Sequence, residues 1–142
     1  MEQHELGNEC DLAVYRLERA RTDLKSAKLL FDAAEYKGAN NRAYYAVYHA
    51  ITAVHALDGK AYKRHKDALA NFNKDYIRTE IFPKTMGRRI SEAQEIRHAS
   101  DYDDFYLATK SEALEQIETA ESLIAMLDTY CKQRMETEHE TV

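Results

Sequence analysis

Arg42-Ala43-Tyr44-Tyr45-Ala46-Val47-Tyr48-His49-Ala50-Ile51-Thr52-Ala53-Val54-His55-Ala56-Leu57 is the stretch whose reading decides the fold. Ala43, Ala46, Ala50 and Ala53 recur at helical spacing as a ridge of small residues. Tyr44, Val47 or Tyr48, Ile51 and Val54 or His55 make a second, bulky ridge on the same helix. Apolar or aromatic groups therefore cover most of the circumference, and such a helix needs neighbours on several sides. It is expected to be the central helix of a bundle, with its small ridge admitting a close neighbour. The polar exceptions are Arg42, His49 and Thr52. Arg42 and His49 are seven residues apart, hence on one face and ~10 Å apart along the axis. A lone histidine in such a helix is more often a satisfied core residue than a catalyst, so His49 enters as a candidate.

On the N-terminal side, residues 1–10 are polar and expected to be loose. From Asp11, an N-cap candidate, Leu17, Ala20, Leu24, Ala27, Phe31 and Ala34 follow one another at alternating helical steps. They form one stripe along a helix ending near Tyr36, with Glu18, Arg21, Asp23, Lys25 and Lys28 off it. Gly38 is expected to break the pattern, and Asn40 or Asn41 to cap the central helix.

On the C-terminal side, Asp58-Gly59-Lys60 reads as a turn, and Lys60 to His65-Lys66 as a basic patch interleaved with Tyr62. A short helix should follow with Ala68, Leu69, Phe72 and Tyr76 inward. Pro83 suits the first turn of the next helix, which is expected to bury Ile90, Ala93 and Ile96 and to end near Ile96. Thr109-Lys110-Ser111-Glu112 has the form of a capping box. Behind it Leu114, Ile117, Ala120 or Glu121, Ile124, Leu127 and Cys131 mark a long last helix, with residues 135–142 a frayed tail.

Composition agrees with this pattern. The chain has 142 residues, enough for one domain with a real core; 44% are hydrophobic and 32% charged, with only four Gly and one Pro to break helices. The expected fold is all-α: an up-and-down antiparallel bundle of four long helices plus a short fifth, spanning residues 11–134 between flexible ends. A net charge of −5 argues against a wholly basic nucleic-acid coat. Cys10 and Cys131 have no metal or redox spacing, no apolar run approaches the ~20 residues of a membrane span, and Met1-Glu2-Gln3-His4-Glu5 is no signal peptide. A soluble cytoplasmic protein is the expectation, with no metal site and no cofactor.

Function is sought at the junction of the last two helices, Glu95-Ile96-Arg97-His98-Ala99-Ser100-Asp101-Tyr102-Asp103-Asp104. It carries no large apolar residue from Arg97 to Asp104, more polarity than a connector needs. Arg97 can fork two N–H groups onto a phosphate or carboxylate, and Tyr102 offers a hydroxyl and a stacking face. The plainer alternative has Arg97 capping its helix and pairing with Asp101, Asp103 or Asp104.

Three segments together resemble one family. Asn41-Arg42-Ala43-Tyr44-Tyr45-Ala46-Val47-Tyr48-His49-Ala50 is similar to the second-helix signature of the UPF0332 branch of the HEPN superfamily. Ile81-Phe82-Pro83-Lys84 and Arg97-His98-Ala99-Ser100-Asp101-Tyr102 resemble its later landmarks in matching order, and the likeness spans about residues 11–131. It implies a five-helix bundle, a homodimer with the two Arg97 stretches facing across a shared cleft, and a toxin–antitoxin pairing with a small nucleotidyltransferase of the MNT type. Many such proteins are metal-independent ribonucleases that use an arginine followed, four to six residues on, by a histidine. Here Tyr102 stands where that histidine is expected, and a phenol of pKa ~10 is a poorer base than an imidazole of pKa ~6.5. The resemblance therefore implies Arg97 as phosphate holder, Asp101 orienting Arg97 or Arg42, and Tyr102 or His49 as proton-transfer candidates. Arg97, Arg42, Tyr45, His98 and Ser100 are the residues expected to hold RNA or a nucleotide. Tyr102 is also a candidate acceptor of an AMP group from the partner transferase. Non-catalytic binding of a nucleotide, RNA or partner in the same cleft is the alternative.

Overall fold

The computed structural model describes residues 2–140, with side chains from 9 to 137. Its elements are α1 (Glu2–Asp32), α2 (Tyr36–Leu57), α3 (His65–Phe72), α4 (Lys84–Tyr102) and α5 (Lys110–Glu140), with no strand among the described residues. One π-helical turn, Asn73–Ile77, continues α3. Four long helices and a short one are what the periodicity predicts.

The central position of α2 follows from its surface. Of its 22 residues 15 are buried, and it packs against α1, α3, α4 and α5. Ala43, Ala46, Ala50 and Ala53 are 2% exposed or less, which fits the close approach that their size permits. Ile51, Val54, Leu17, Phe72, Met86, Leu123 and Leu127 complete the core, each large side chain contributing ~1.5–3 kcal/mol on burial. Along α1, Leu17, Ala20 and Ala27 are buried and Leu24 and Phe31 partly so.

Several boundaries differ from the expectation, each for a local reason. α1 begins at Glu2, not at an Asp11 cap. α5 runs to Glu140. The expected loose ends lie partly outside the described residues, which exclude Met1, Thr141 and Val142 and the side chains of residues 1–8 and 138–142. The reversal between α1 and α2 is made at Ala34, whose φ of 61° is left-handed, rather than at Gly38. Gly38 lies inside α2, where an added Cβ would come 3.2 Å from Leu30 Cδ1; the glycine lets two helices touch. Asn40 and Asn41 are correspondingly not caps. Asn40 is buried and donates from Nδ2 to Ser100 Oγ (3.2 Å) and Glu112 Oε1 (3.1 Å), tying α2 to α4 and α5.

Pro83 is the residue before α4 rather than inside its first turn. α4 continues past Ile96 to Tyr102, so Arg97 to Tyr102 is helix and the connection begins only at Asp103. At the start of α5, Thr109 Oγ1 accepts from the Glu112 backbone N–H at 3.1 Å, one half of the expected capping box. The Glu112 carboxylate serves Asn40 and the Tyr106 hydroxyl instead. Ile117, Ala120, Ile124, Leu127 and Cys131 are buried as expected, but Leu114 is 42% exposed and Ala113 takes its place on the inner face.

Candidate functional site

Extending α4 through Tyr102 decides the site, because Arg97 and Asp101 become i,i+4 neighbours on one helical face. That face looks onto the bulky ridge of α2. Arg97 Nη2 donates to the Tyr45 hydroxyl at 2.8 Å. Its guanidinium carbon lies 5.0 Å from the Tyr44 ring centre, 5.3 Å from Tyr45 and 5.9 Å from Tyr102, within cation–π range of all three. Arg97 Nε is 3.4 Å from Asp101 Oδ2, an ion pair whose alignment leaves Nε without a hydrogen bond.

Asp101 is held in turn, since Asn41 Nδ2 donates to its Oδ2 at 2.8 Å. Arg42 Nε donates to Asn41 Oδ1 at 2.9 Å, and Arg42 Nη1 reaches Asp23 Oδ1 at 3.3 Å. The Arg42 guanidinium sits 4.8 Å from the Tyr45 ring centre. Tyr45 thus has a guanidinium against it from each of two helices. One connected cluster therefore joins Arg97, Asp101, Arg42 and Tyr45, four of the expected residues.

Electrostatics fixes the charge states. Burial works against the Arg97 charge, but the Tyr45 hydrogen bond together with Tyr45, Tyr44 and Asp101 outweighs it and raises the pKa, so the group is permanently cationic. Burial pushes the Tyr44 phenol up to about 12 in spite of Arg97, which keeps it a phenol. His49 also reaches the cluster, with its ring 6.3 Å from Tyr45 and Nε2 3.3 Å from Asp23 Oδ2. It is only 7% exposed, however, and its Nδ1 is buried without a partner. Burial, then Arg19, Arg16, His65 and Arg42, press its pKa down to about 4. Asp23 opposite is raised by its own burial, against Arg42 and Arg19.

Of the remaining expected residues, Tyr102 meets the cluster only through the Arg97 guanidinium, and His98 and Ser100 lie outside it. His98 is exposed, with its ring 4.9 Å from that of Tyr102, which is itself 67% exposed. Ser100 is buried against α2 through Asn40. Two participants escape sequence reasoning. Asp23 counts only as a charge off the α1 stripe, although an acid beside that stripe faces Arg42 and His49 on the next helix. His65 stacks on Tyr48 with ring centres 3.8 Å apart, and its Nδ1 is 3.3 Å from the Tyr44 hydroxyl. Nothing in the spacing of a basic patch foretells that contact. Among the described residues no group of three His, Cys, Asp or Glu could hold a metal ion, and no helix is long and apolar enough to cross a membrane.

A family model described as the HEPN domain matches residues 13–130. The chain belongs to the HEPN family. Among relatives of this HEPN chain, a UPF0332 protein of Thermotoga maritima is 28% identical over 114 residues, covering 80% of this chain and 86% of the relative. Two proteins of Methanocaldococcus jannaschii named as candidate toxins, MJ0605 and MJ0142, are 29% and 28% identical over 86 and 97 residues. Those matches cover 61% and 68% of this chain, and 64% and 66% of the relatives. The UPF0332 relative agrees with the branch indicated by the second-helix signature. The crystal structure of TT1696 from Thermus thermophilus shares the fold, with a TM-score of 0.70 at 22% identity, covering 82% of this chain and 96% of that one. In this HEPN bundle the arginine of the α4 motif faces α2, and Tyr102 stands exposed at the end of the same helix.

Proposed function

We propose that this HEPN chain is a ribonuclease-type toxin that grips an RNA phosphate with Arg97. The observation that carries the reading is the state of Arg97: a permanent cation, 16% exposed at its side chain, fixed by Tyr45 and Asp101 on one edge. Among the described residues its Nη1 makes no hydrogen bond, so a charge-assisted donor edge is left for an anionic oxygen. Asp101 orients Arg97, and Arg42, Tyr45 and His98 extend the polar surface around it. Cleavage by the 2′-hydroxyl requires no metal, only a phosphate clamp and a group that exchanges a proton near neutral pH. The relatives named as candidate toxins support a toxin role; a small nucleotidyltransferase as antitoxin and the cytoplasm as the place of action belong to the same proposal and follow from the resemblance of the α2 and α4 motifs. Homodimerisation is supported by apolar side chains beside the cluster that face solvent: Tyr102 at 67%, Phe105 at 97% and Leu107 at 81% exposure. The exposed Tyr102 hydroxyl is accessible enough to accept an AMP group.

The second reading is a non-catalytic module that binds RNA, a nucleotide or the partner transferase on the same surface. Two observations favour it: Tyr102 occupies the expected histidine position, and His49 is only 7% exposed, with its Nδ1 buried. The test is to incubate the purified chain with mixed RNA in EDTA, comparing wild type with Arg97→Ala. Cleavage abolished by the substitution supports the nuclease. Arg97-dependent binding without cleavage supports the module, and RNA behaviour unaffected by the substitution contradicts both.

A further inference from the structure

We propose that His65, from the first turn of α3 and outside the α4 motif altogether, is the acid–base group of this site. The proposal rests on the reading of Arg97 as the phosphate anchor and supplies what that reading lacks. His65 and Arg97 flank the same two tyrosines. Tyr44 has the Arg97 guanidinium 5.0 Å from its ring centre, while its hydroxyl lies 3.3 Å from His65 Nδ1. Tyr45 receives the Arg97 hydrogen bond at 2.8 Å, and its ring centre is 5.5 Å from that of His65. Two residues 32 positions apart in the chain are thus placed side by side by α2.

The imidazole is oriented as a proton-transfer group requires. Its ring stacks on Tyr48 with 18° between planes, and Nδ1 is engaged by the Tyr44 hydroxyl, which fixes the ring rotation. Nε2 makes no hydrogen bond among the described residues and is not sealed from solvent, so it is the edge presented outward. With Nδ1–H donating to the Tyr44 oxygen, Nε2 carries the lone pair of a general base; the reverse tautomer makes it an acid. The rivals fail on access or chemistry. His49 Nδ1 is buried, and Tyr102 is a phenol. Groups facing His65 are Tyr44, Tyr45, Tyr48 and His49 from α2 and Arg97 from α4, with Arg64 and Lys66 adjacent in the chain. Burial, then Arg97, lower the His65 pKa, which keeps the ring neutral and able to accept a proton at pH 7.

The step balances. His65 Nε2 takes the proton of a ribose 2′-hydroxyl, and the oxygen lone pair forms a bond to the adjacent phosphorus. The P–O5′ bond breaks with its electron pair on O5′, which takes up a proton from solvent and leaves as a hydroxyl. The other product is a 2′,3′-cyclic phosphate, and His65 returns its proton to water. Arg97 neutralises the charge on the non-bridging oxygens throughout.

The test uses the full chain, a single-stranded RNA oligonucleotide and EDTA throughout, with His65→Asn, His65→Ala and Arg97→Ala. His65→Asn keeps a polar group near Tyr44; it should cleave ~100-fold more slowly or worse, bind RNA within about twofold of wild type, and lose the acidic limb of the pH–rate profile. Added imidazole should restore part of the cleavage to His65→Ala, an effect that a purely structural role would not produce. Near-wild-type cleavage by His65→Asn, with Arg97→Ala inactive, overturns this proposal and leaves the nuclease reading standing. Wild type that binds RNA through Arg97 without cleaving it also overturns the proposal. Wild-type cleavage and binding by Arg97→Ala overturn the anchor, and the role of His65 with it.

Discussion

Replacing Asn40 by Ala tests how α4 is held in position to present Arg97. Asn40 is 1% exposed and donates from Nδ2 to Ser100 Oγ at 3.2 Å and to the Glu112 carboxylate at 3.1 Å. The first bond is worth ~1 kcal/mol and the charged one ~1.5–3 kcal/mol. Against their loss stands Asn40 Oδ1, which is buried without a partner and whose removal returns ~1–3 kcal/mol of desolvation. Glu112 keeps the Tyr106 hydroxyl, so its carboxylate is not orphaned. The net destabilisation should be ~1 kcal/mol, or about 3 °C in melting temperature for a domain of this size. Asn41→Ala is the control, since its partner Asp101 is bonded near the surface and the pair is worth ~0.2–1 kcal/mol. Thermal unfolding and urea denaturation, both followed by far-UV circular dichroism, give the two values, and an unchanged urea slope would confirm that only stability moved. Asn40→Ala within 1 °C of wild type, or Asn41→Ala costing more than Asn40→Ala, would refute the reasoning.

Tyr45→Phe removes the hydroxyl that receives Arg97 and should cost ~1.5–3 kcal/mol in urea denaturation, whereas Tyr102→Phe, at an exposed position, should stay within ~0.5 kcal/mol. His49 gives a pH dependence with a definite sign. With a folded pKa of about 4 against ~6.5 unfolded, only the unfolded chain takes a proton between those values, so stability falls as pH drops through that window, by at most ~3 kcal/mol. His49→Gln should flatten that part of the melting-temperature profile; Asp23, whose pKa is raised by burial, works in the opposite direction and is unchanged in the comparison. On the proposed homodimer, Phe105→Ser should shift light scattering toward monomer without lowering the helical signal, since Phe105 is 97% exposed; a monomeric wild type would contradict the dimer.

The legible part of this protein is what burial dictates at short range. The ridges of α2 and the stripe of α1 follow from helical period and are readable in the sequence alone. So is Arg97, because a polar run after an amphipathic helix is conspicuous. Less readable is where that helix stops. Arg97 to Tyr102 lack large apolar residues, and their helix is secured by tertiary ties, Ser100 to Asn40 and Asp101 to Asn41, that no local pattern reveals. The same limit hides Asp23 and His65. Their contacts to Arg42 and Tyr44 join residues 19 and 21 positions apart, and only the packed bundle brings them within reach. Gly38 misleads for a related reason: it serves the approach of Leu30 from α1, not a break in the chain.

The central claim is that Arg97 holds an RNA phosphate, and the most direct measurement is the salt dependence of binding. A fluorescent single-stranded RNA should be titrated with wild type and Arg97→Ala in EDTA across a range of salt concentrations. If Arg97 neutralises one phosphate, the substitution should weaken binding at every salt concentration. It should also reduce the slope of log affinity against log salt by ~0.7, one counterion's worth for a single strand. Equal affinities and parallel slopes for the two proteins would contradict the account.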